Sequence, residues 1–436
     1  MMQVGSHPCT KSELDLFTLP PTLTSLEKAQ HVEYLPIGSL TDDTPIEFFV
    51  SSRGDEYIDL AKTYIYIEAK ITKADGTALE ENAKVGPVNL WLHSLFSQID
   101  LSLNGELVTS SNNTYPYRAY LETLLSYGQE AKKSQLQSSL WYVDDPGKFG
   151  KVDPTAADTN SSFKTRARLA AKSDVVDMFG RLHLDLCHQH RYLINGVDMK
   201  LRLNRTKSNF NLMSEAGTEI TKITKAILLV QQVKTNPQEL LEHAKLLNSG
   251  ETIKYPIRRV EVKTFAITTG TQTLTRDNVF LGQLPRRVIV CMTKNSAFIG
   301  KKDQNPFEME HNNLNYISVE ANGQSFPSQP LTPQFGNINN YIKSYMTLFT
   351  DTGKIFDDSG NDITRESYRK GFTIWAFDLS PDKEDSAHVH LIKEGNLRLD
   401  MKFAEALDDT TSVIVYAEFD NVIEIDRARN IIKDFQ

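Results

Sequence analysis

Between Thr63 and Ile71 apolar and polar positions alternate: Ile65, Ile67, Ala69 and Ile71 fall on one face, and Tyr64, Tyr66, Glu68 and Lys70 on the other. A period of two is the pattern of a half-buried strand. It recurs at Ile99, Leu101 and Leu103, at Leu182, Leu184 and Leu186, and at Val197, Met199, Leu201 and Leu203. Further along it returns at Val260 and Val262, from Val288 to Met292, at Leu397, Leu399, Met401 and Phe403, and at Val413, Val415, Ala417 and Phe419. Both halves of the chain therefore read as β. The dipeptides Asp75-Gly76, Asn104-Gly105, Asn195-Gly196 and Asn322-Gly323 tolerate the positive φ angles of hairpin turns, so antiparallel pairing is predicted throughout.

The clearest helical pattern runs from Asn236 to Leu247, with Asn as the cap, Pro237 opening the first turn and Gly250 closing the end. It falls between the two β-halves. Residues 236–250 are therefore expected to be a helical joint holding two domains at a fixed angle.

The two halves also share a repeat. Ile99-Asp-Leu-Ser-Leu-Asn104-Gly105 is matched by Ile317-Ser-Val-Glu-Ala-Asn322-Gly323, and each is followed by a tyrosine-bearing helical stretch, Tyr117 to Tyr127 and Ile338 to Tyr345. The offsets 322−104, 323−105 and 345−127 are all 218. A looser echo links Leu184-Asp185-Leu186 and the later Gly196 to Phe377-Asp378-Leu379 and Gly395. Two copies are too few for a solenoid, and a duplicated domain is the better reading. All-β halves of this size, with hairpin turns and long loops, suit a sandwich or jelly roll.

Length and composition are consistent with this. A chain of 436 residues exceeds what one core usually supports, and 40% hydrophobic with 24% charged residues is the balance of a folded protein. The net charge of −8 is not the basic excess of a protein that coats phosphates. No window approaches a membrane span, and the start Met1-Met2-Gln3-Val4 has neither an apolar signal core nor a glycine placed for myristoylation. The expectation is a chain made in the cytoplasm, without a membrane anchor. Cys9, Cys187 and Cys291 form no close pair and are expected as reduced thiols, and the acceptor patterns at Asn112, Asn160 and Asn204 are expected to carry no glycan.

No phosphate loop, nucleophile elbow or zinc-protease helix occurs, and no catalytic residue, metal site or cofactor is assigned. The run from His183 to His190 holds His183, Asp185, Cys187, His188 and His190, all residue types that zinc accepts, at a spacing that fits no standard zinc pattern. Its ordinary reading is a solvated or interfacial strand face. His388 and His390, beside the charged run Asp382-Lys-Glu-Asp-Ser386, read as loop. Tyr115, Tyr117, Tyr120, Tyr341 and Tyr345 lack a basic surround for stacking bases and read as packing or subunit contact. Arg258-Arg259 and Arg286-Arg287 read as solvated or ion-paired. Leu16, Phe17, Leu19, Pro20 and Pro21 make an apolar, proline-interrupted stretch, either an arm lying on a partner or a strap across its own domain.

Four stretches carry a family resemblance: Asp15-Leu-Phe-Thr-Leu-Pro-Pro-Thr22 with Glu33-Tyr-Leu-Pro36, Gly54-Asp-Glu-Tyr-Ile-Asp-Leu60, Lys254-Tyr-Pro-Ile-Arg-Arg259, and Phe419-Asp-Asn-Val-Ile-Glu-Ile-Asp-Arg427. The chain resembles the major capsid proteins of Polinton (Maverick) elements and adintoviruses, and more distantly those of virophages and large nucleocytoplasmic DNA viruses. The resemblance implies an all-β fold of two tandem eight-stranded antiparallel jelly-roll domains with a few short inserted helices. It further implies a homotrimer that looks hexagonal, neighbouring capsomers, a single jelly-roll penton partner and double-stranded DNA enclosed in a virion. The expected layout is an N-terminal arm over 1–40, a first jelly roll over 41–235, the joint, a second jelly roll over 251–425 and a tail over 426–436. The competing function is a two-domain β-sandwich that binds or acts on carbohydrate.

Overall fold

A computed structural model describes residues 3, 5–41, 44–52, 54–336, 339–383 and 388–434. Met1, Met2, Val4, Ile338 and the stretch Glu384-Asp-Ser386 of the charged loop lie outside the described residues.

In the first half the chain forms β1 (Leu26–Tyr34), β2 (Ile46–Val50), β3 (Glu56–Thr72), β4 (Val85–Pro87), β5 (Phe96–Leu103), β6 (Glu106–Leu107), β7 (Val176–Arg181), β8 (Met199–Arg205), β9 (Leu212–Ser214) and β10 (Ile220–Thr235). The second half forms β11 (Ile253–Ile267), β12 (Thr273–Gln283), β13 (Arg287–Lys294), β14 (Leu314–Ala321), β15 (Gln324–Leu331), β16 (Ile374–Asp378), β17 (Glu394–Phe403), β18 (Thr411–Ile425) and β19 (Ile431–Lys433). The first-half sheets run β1-β10-β3-β7 and β2-β8-β5-β6, and the second-half sheets β11-β18-β13-β16 and β12-β17-β14-β15. The ribbon β4-β9 stands apart and β19 adds to β18.

With β4 and β9 set aside, eight strands remain in each half up to β18. In both halves the first, eighth, third and sixth make one sheet, and the second, seventh, fourth and fifth the other. Each half is thus an eight-stranded jelly roll, and the two share one wiring. All the strand pairs are antiparallel, in agreement with the turn dipeptides.

The alternation seen in the sequence is the inward face of these sheets. Ile65, Ile67, Ala69 and Ile71 of β3 are buried, as are Ile99, Leu101 and Leu103 of β5 and Leu201 and Leu203 of β8. Each such aliphatic side chain contributes roughly 1.5–3 kcal/mol by leaving water. β18 is buried along most of its length because β11 and β13 pair with it on either side and β19 extends its end.

Two sequence expectations need correction here. β1 lies inside the stretch expected as an arm and pairs with β10 from Leu26↔Thr235 to Tyr34↔Leu228, so the middle of that stretch belongs to a sheet. Leu182, Leu184 and Leu186 do not form a strand: β7 ends at Arg181 and a 3-10 turn covers Asp185–His188. The leucines are buried as the alternation suggests, but Asp185 and Cys187 are buried with them. Asp185 can be buried because its carboxylate finds charged and backbone partners, which a hydropathy pattern does not reveal.

The helices insert at equivalent places. Tyr115–Ser126, Gln129–Lys133 and Ser161–Leu169 lie between β6 and β7, and Ile342–Thr350 and Arg365–Tyr368 between β15 and β16. The helix Pro237–Asn248 connects β10 to β11, with the Asn236 side chain accepting from Gln238 N.

Candidate functional site at the seam and the arm

The helix Tyr115–Ser126 is the wedge between the two halves, buried at ten of its residues. Tyr120 stacks on Phe307 at 4.3 Å between ring centroids and 4°, and Tyr117 stacks on Phe298 at 5.3 Å. Those tyrosines are core packing, as their lack of a basic surround suggested. Polar contacts also cross the seam: Ser110 Oγ donates to Val260 O, Asn112 Nδ2 to Val262 O, and Lys132 Nζ to Asn361 O. The second-half Tyr255 hydroxyl lies between Ile194 N, from which it accepts, and Tyr192 O, to which it donates.

Four residues apart on one helix face, Arg118 and Glu122 form the centre of a buried charge network. Arg118 Nε lies 2.8 Å from Glu122 Oε1, and Nη2 lies 2.7 Å from Asp185 Oδ1. Asp185 Oδ1 also accepts from Val260 N of β11, and Tyr416 of β18 donates to Glu122 Oε1. Glu122 Oε2 takes His183 Nδ1 at 2.6 Å and lies 3.8 Å from His188 Nε2. Burial alone would raise the Glu122 carboxyl, but Arg118, His188 and His183 hold it well below the usual range. Burial pushes His188 down to about 3 despite Glu122, so its ring is neutral at pH 7. The His183 to His190 run is thus tied into a seam rather than presented as a strand face.

The network opens into a cleft of about 1210 Å³ between the halves, lined among others by Arg286, Arg287, Glu418 and Asp420. Three residues of the basic pairs noted in the sequence are ion-paired here: Arg287 Nη1 lies 3.2 Å from Glu418, Arg286 Nη1 3.8 Å from Asp420, and Arg259 pairs with Glu261 while its Nε donates to Asn421. A glycosidase acid needs a carboxyl whose proton is retained near neutral pH. Glu122 is held in the opposite direction, and Asp185, which burial pushes up, is bound to Arg118 and to Val260 N and so is committed to the seam. The arrangement can hold two barrels together, and it can respond to acid.

The duplicated turns are equivalent in the structure. Asn104-Gly105 joins β5 to β6 with φ of 48° and 87°, and Asn322-Gly323 joins β14 to β15 with φ of 52° and 79°. β5 and β14 begin and end 218 apart (314−96 and 321−103). Each asparagine does the same work: Asn104 Oδ1 accepts from Asp198 N and Asn322 Oδ1 from Asn396 N, bridging the turn to the start of the neighbouring strand. Tyr127 and Tyr345 do not correspond. Tyr127 follows the end of its helix in an extended conformation, whereas Tyr345 lies inside the helix Ile342–Thr350 and donates to Ile363 O.

The arm residues Leu16, Phe17 and Leu19 are 76%, 95% and 91% exposed, and Leu14 and Leu23 are also open. Pro20 and Pro21 are exposed beside them. Five large apolar side chains, Leu14, Leu16, Phe17, Leu19 and Leu23, are thus open to solvent within ten residues of chain.

No protein-family model matches the chain. It is similar to an uncharacterized protein of Caenorhabditis elegans, F54H12.2, at 25% identity over 429 residues, 95% of this chain and 99% of that protein. Among solved structures it resembles a chain of the cryo-EM structure of the Sputnik virophage, with a TM-score of 0.61, 11% identity and coverage of 99% of this chain and 93% of that one. PBCV-1 VP54 matches at a TM-score of 0.58 and 10% identity over 97% and 99%, and the Faustovirus major capsid protein at 0.56 and 9% over 94% and 92%.

The fold is a double jelly roll.

In double jelly-roll terms, the seam network joins the helical insertion of the first barrel to β11 and β18 of the second. Arg118, Glu122 and Tyr416 were not found by sequence reasoning. The only signal was an Arg and a Glu four apart on a helix, a spacing common on solvated faces.

Proposed function

We propose that the chain is a major capsid subunit, with the Polinton (Maverick) and adintovirus group as its source. One observation carries this reading: two jelly rolls of identical strand order in one chain, matched nearly end to end by viral capsid proteins. Three chains would close into a ring with six similar barrels, through heterologous contacts that bury on the order of 2,000 Å² or more. The first barrel would span the residues up to 235, the helix Pro237–Asn248 would act as the joint, and the second barrel would span 251–425.

The exposed arm of Leu16, Phe17, Leu19, Pro20 and Pro21 would lie on a neighbouring copy, which removes its apolar side chains from water. Repeated contacts between trimers would sum to a shell by multivalency. The net charge of −8 suits enclosure of double-stranded DNA without direct coating of its phosphates. A single jelly-roll penton protein would fill the fivefold positions, and the working location would be the virion. The similar chain encoded by an animal, the nematode, favours an integrated element as the origin. The role is structural, with no chemical reaction assigned.

Light scattering on the purified chain tests this. The expected mass is three times 49.3 kDa. A mass of one chain at every concentration, including those above micromolar, would remove the reading.

A further inference from the structure

The loop between β16 and β17 holds a second cluster that plays no part in the seam. Asp382 Oδ2 lies 2.9 Å from His388 Nε2, and Asp382 Oδ1 lies 2.9 Å from His390 Nε2. The two imidazoles are two residues apart in the chain, and their centroids are 4.9 Å apart at 63°. One ligand atom from each of the three residues lies within 4.8 Å of the other two. On its far side, His390 Nδ1 faces Asp420 Oδ2 of β18 at 3.3 Å.

We propose that Asp382, His388 and His390 form a site for a divalent transition metal of the zinc class. Two imidazoles and one carboxylate are a donor set that zinc accepts, and a hard cation such as calcium or magnesium prefers oxygen alone. Zinc bonds of about 2.0–2.1 Å in a tetrahedron set neighbouring ligand atoms about 3.3 Å apart. The two 2.9 Å separations, one to each Asp382 oxygen, would open by a few tenths of an ångström, and the imidazole ligand nitrogens, within 4.8 Å of each other, would settle at the same spacing. Asp420 supplies what a ligating histidine needs behind it. A carboxylate on Nδ1 fixes the proton there, aims the ring and leaves the Nε2 lone pair for the metal. Asp420 is itself held by Arg286 Nη1 at 3.8 Å.

The His388 side chain is 58% exposed, so a metal can reach the site from solvent. Once bound, the metal would clasp the β16–β17 loop against β18 at the mouth of the cleft, which His388 and Asp420 both line. The site does not depend on the capsid reading.

The test is calorimetric titration of zinc sulfate into the full chain after EDTA treatment, in a Cys9→Ser background, because the exposed Cys9 thiol is itself a zinc ligand. The expected result is one zinc per chain, with affinity falling at least tenfold in His388→Ala and in Asp382→Asn, and unchanged in His188→Ala. The last variant probes the rival group Glu122, His183 and His188. Circular dichroism without zinc should match the parent for His388→Ala and Asp382→Asn, since those loop residues lie at the surface. No zinc uptake by the parent protein overturns the proposal. So does uptake that survives both loop substitutions or is lost in His188→Ala.

Discussion

Arg118 pairs with two carboxylates at once, and its side chain is nine-tenths buried. Removing it leaves Glu122 and Asp185 buried without a cation, a situation that costs about 3–5 kcal/mol. Arg118→Met should therefore lower stability by that amount, measured as the loss of denaturation midpoint relative to the parent. The acid response follows from the same cluster. Glu122 has a folded-state affinity for protons below its unfolded one, so the stability it contributes is present above the ordinary glutamate range and is lost as pH falls. His188, pushed down to about 3 by burial, takes up its proton in the unfolded chain near pH 6.5 but not in the folded one. Its effect has the same sign, and stability declines as pH drops from about 6.5 toward 3. The thermal midpoint should fall steadily between pH 7 and pH 4, and His188→Gln should shrink that fall. One third of the His188 side chain is open to the cleft, so the reduction is partial. None of this was legible in the sequence. Hydropathy treats a buried Asp185 as a surface residue, and the partners that make its burial tolerable come from positions 67 and 75 residues away.

At the scale of elements, the period of two located the inward faces of β3, β5 and β8, because one-sided burial imposes that period directly, whereas β13 was marked by an unbroken apolar run and is buried on both faces. The period failed at Leu182 to Leu186, where the chain passes between the first barrel and the second and is enclosed on more than one side. The Asn-Gly repeat identified a true structural pair, since both residues of a tight hairpin turn need positive φ and few residues accept it. The tyrosine part of the repeat was a coincidence of spacing, because the helices after the two turns begin at different distances, at Tyr115 and at Ile342. The Asn322 turn also explains Gly395. A Cβ there would collide with the Asn322 amide, which donates to Glu394 O and accepts from Asn396 N. Gly395→Ala should cost about 1–3 kcal/mol through overpacking. In a background where Asn322 is replaced by Gly the same substitution should cost much less, which a double-mutant cycle on unfolding free energies would measure.

For the whole molecule, the decisive property is that one wiring occurs twice, first-eighth-third-sixth against second-seventh-fourth-fifth. Sequence periodicity could suggest duplication but could not supply strand order, which depends on pairings as far apart as β1 with β10 and β11 with β18. Two such barrels are fused by a buried seam, and on the proposal that three chains close around an axis they would supply the six similar lobes of a six-sided block. On that proposal the exposed apolar side chains ahead of β1 would lie on the adjacent block. Electron microscopy of the purified full-length chain tests this most directly. The account predicts threefold particles with six barrel-sized lobes that associate into hexagonal sheets or closed shells. Two-lobed single chains at all concentrations, or a dimer with four lobes, would contradict it.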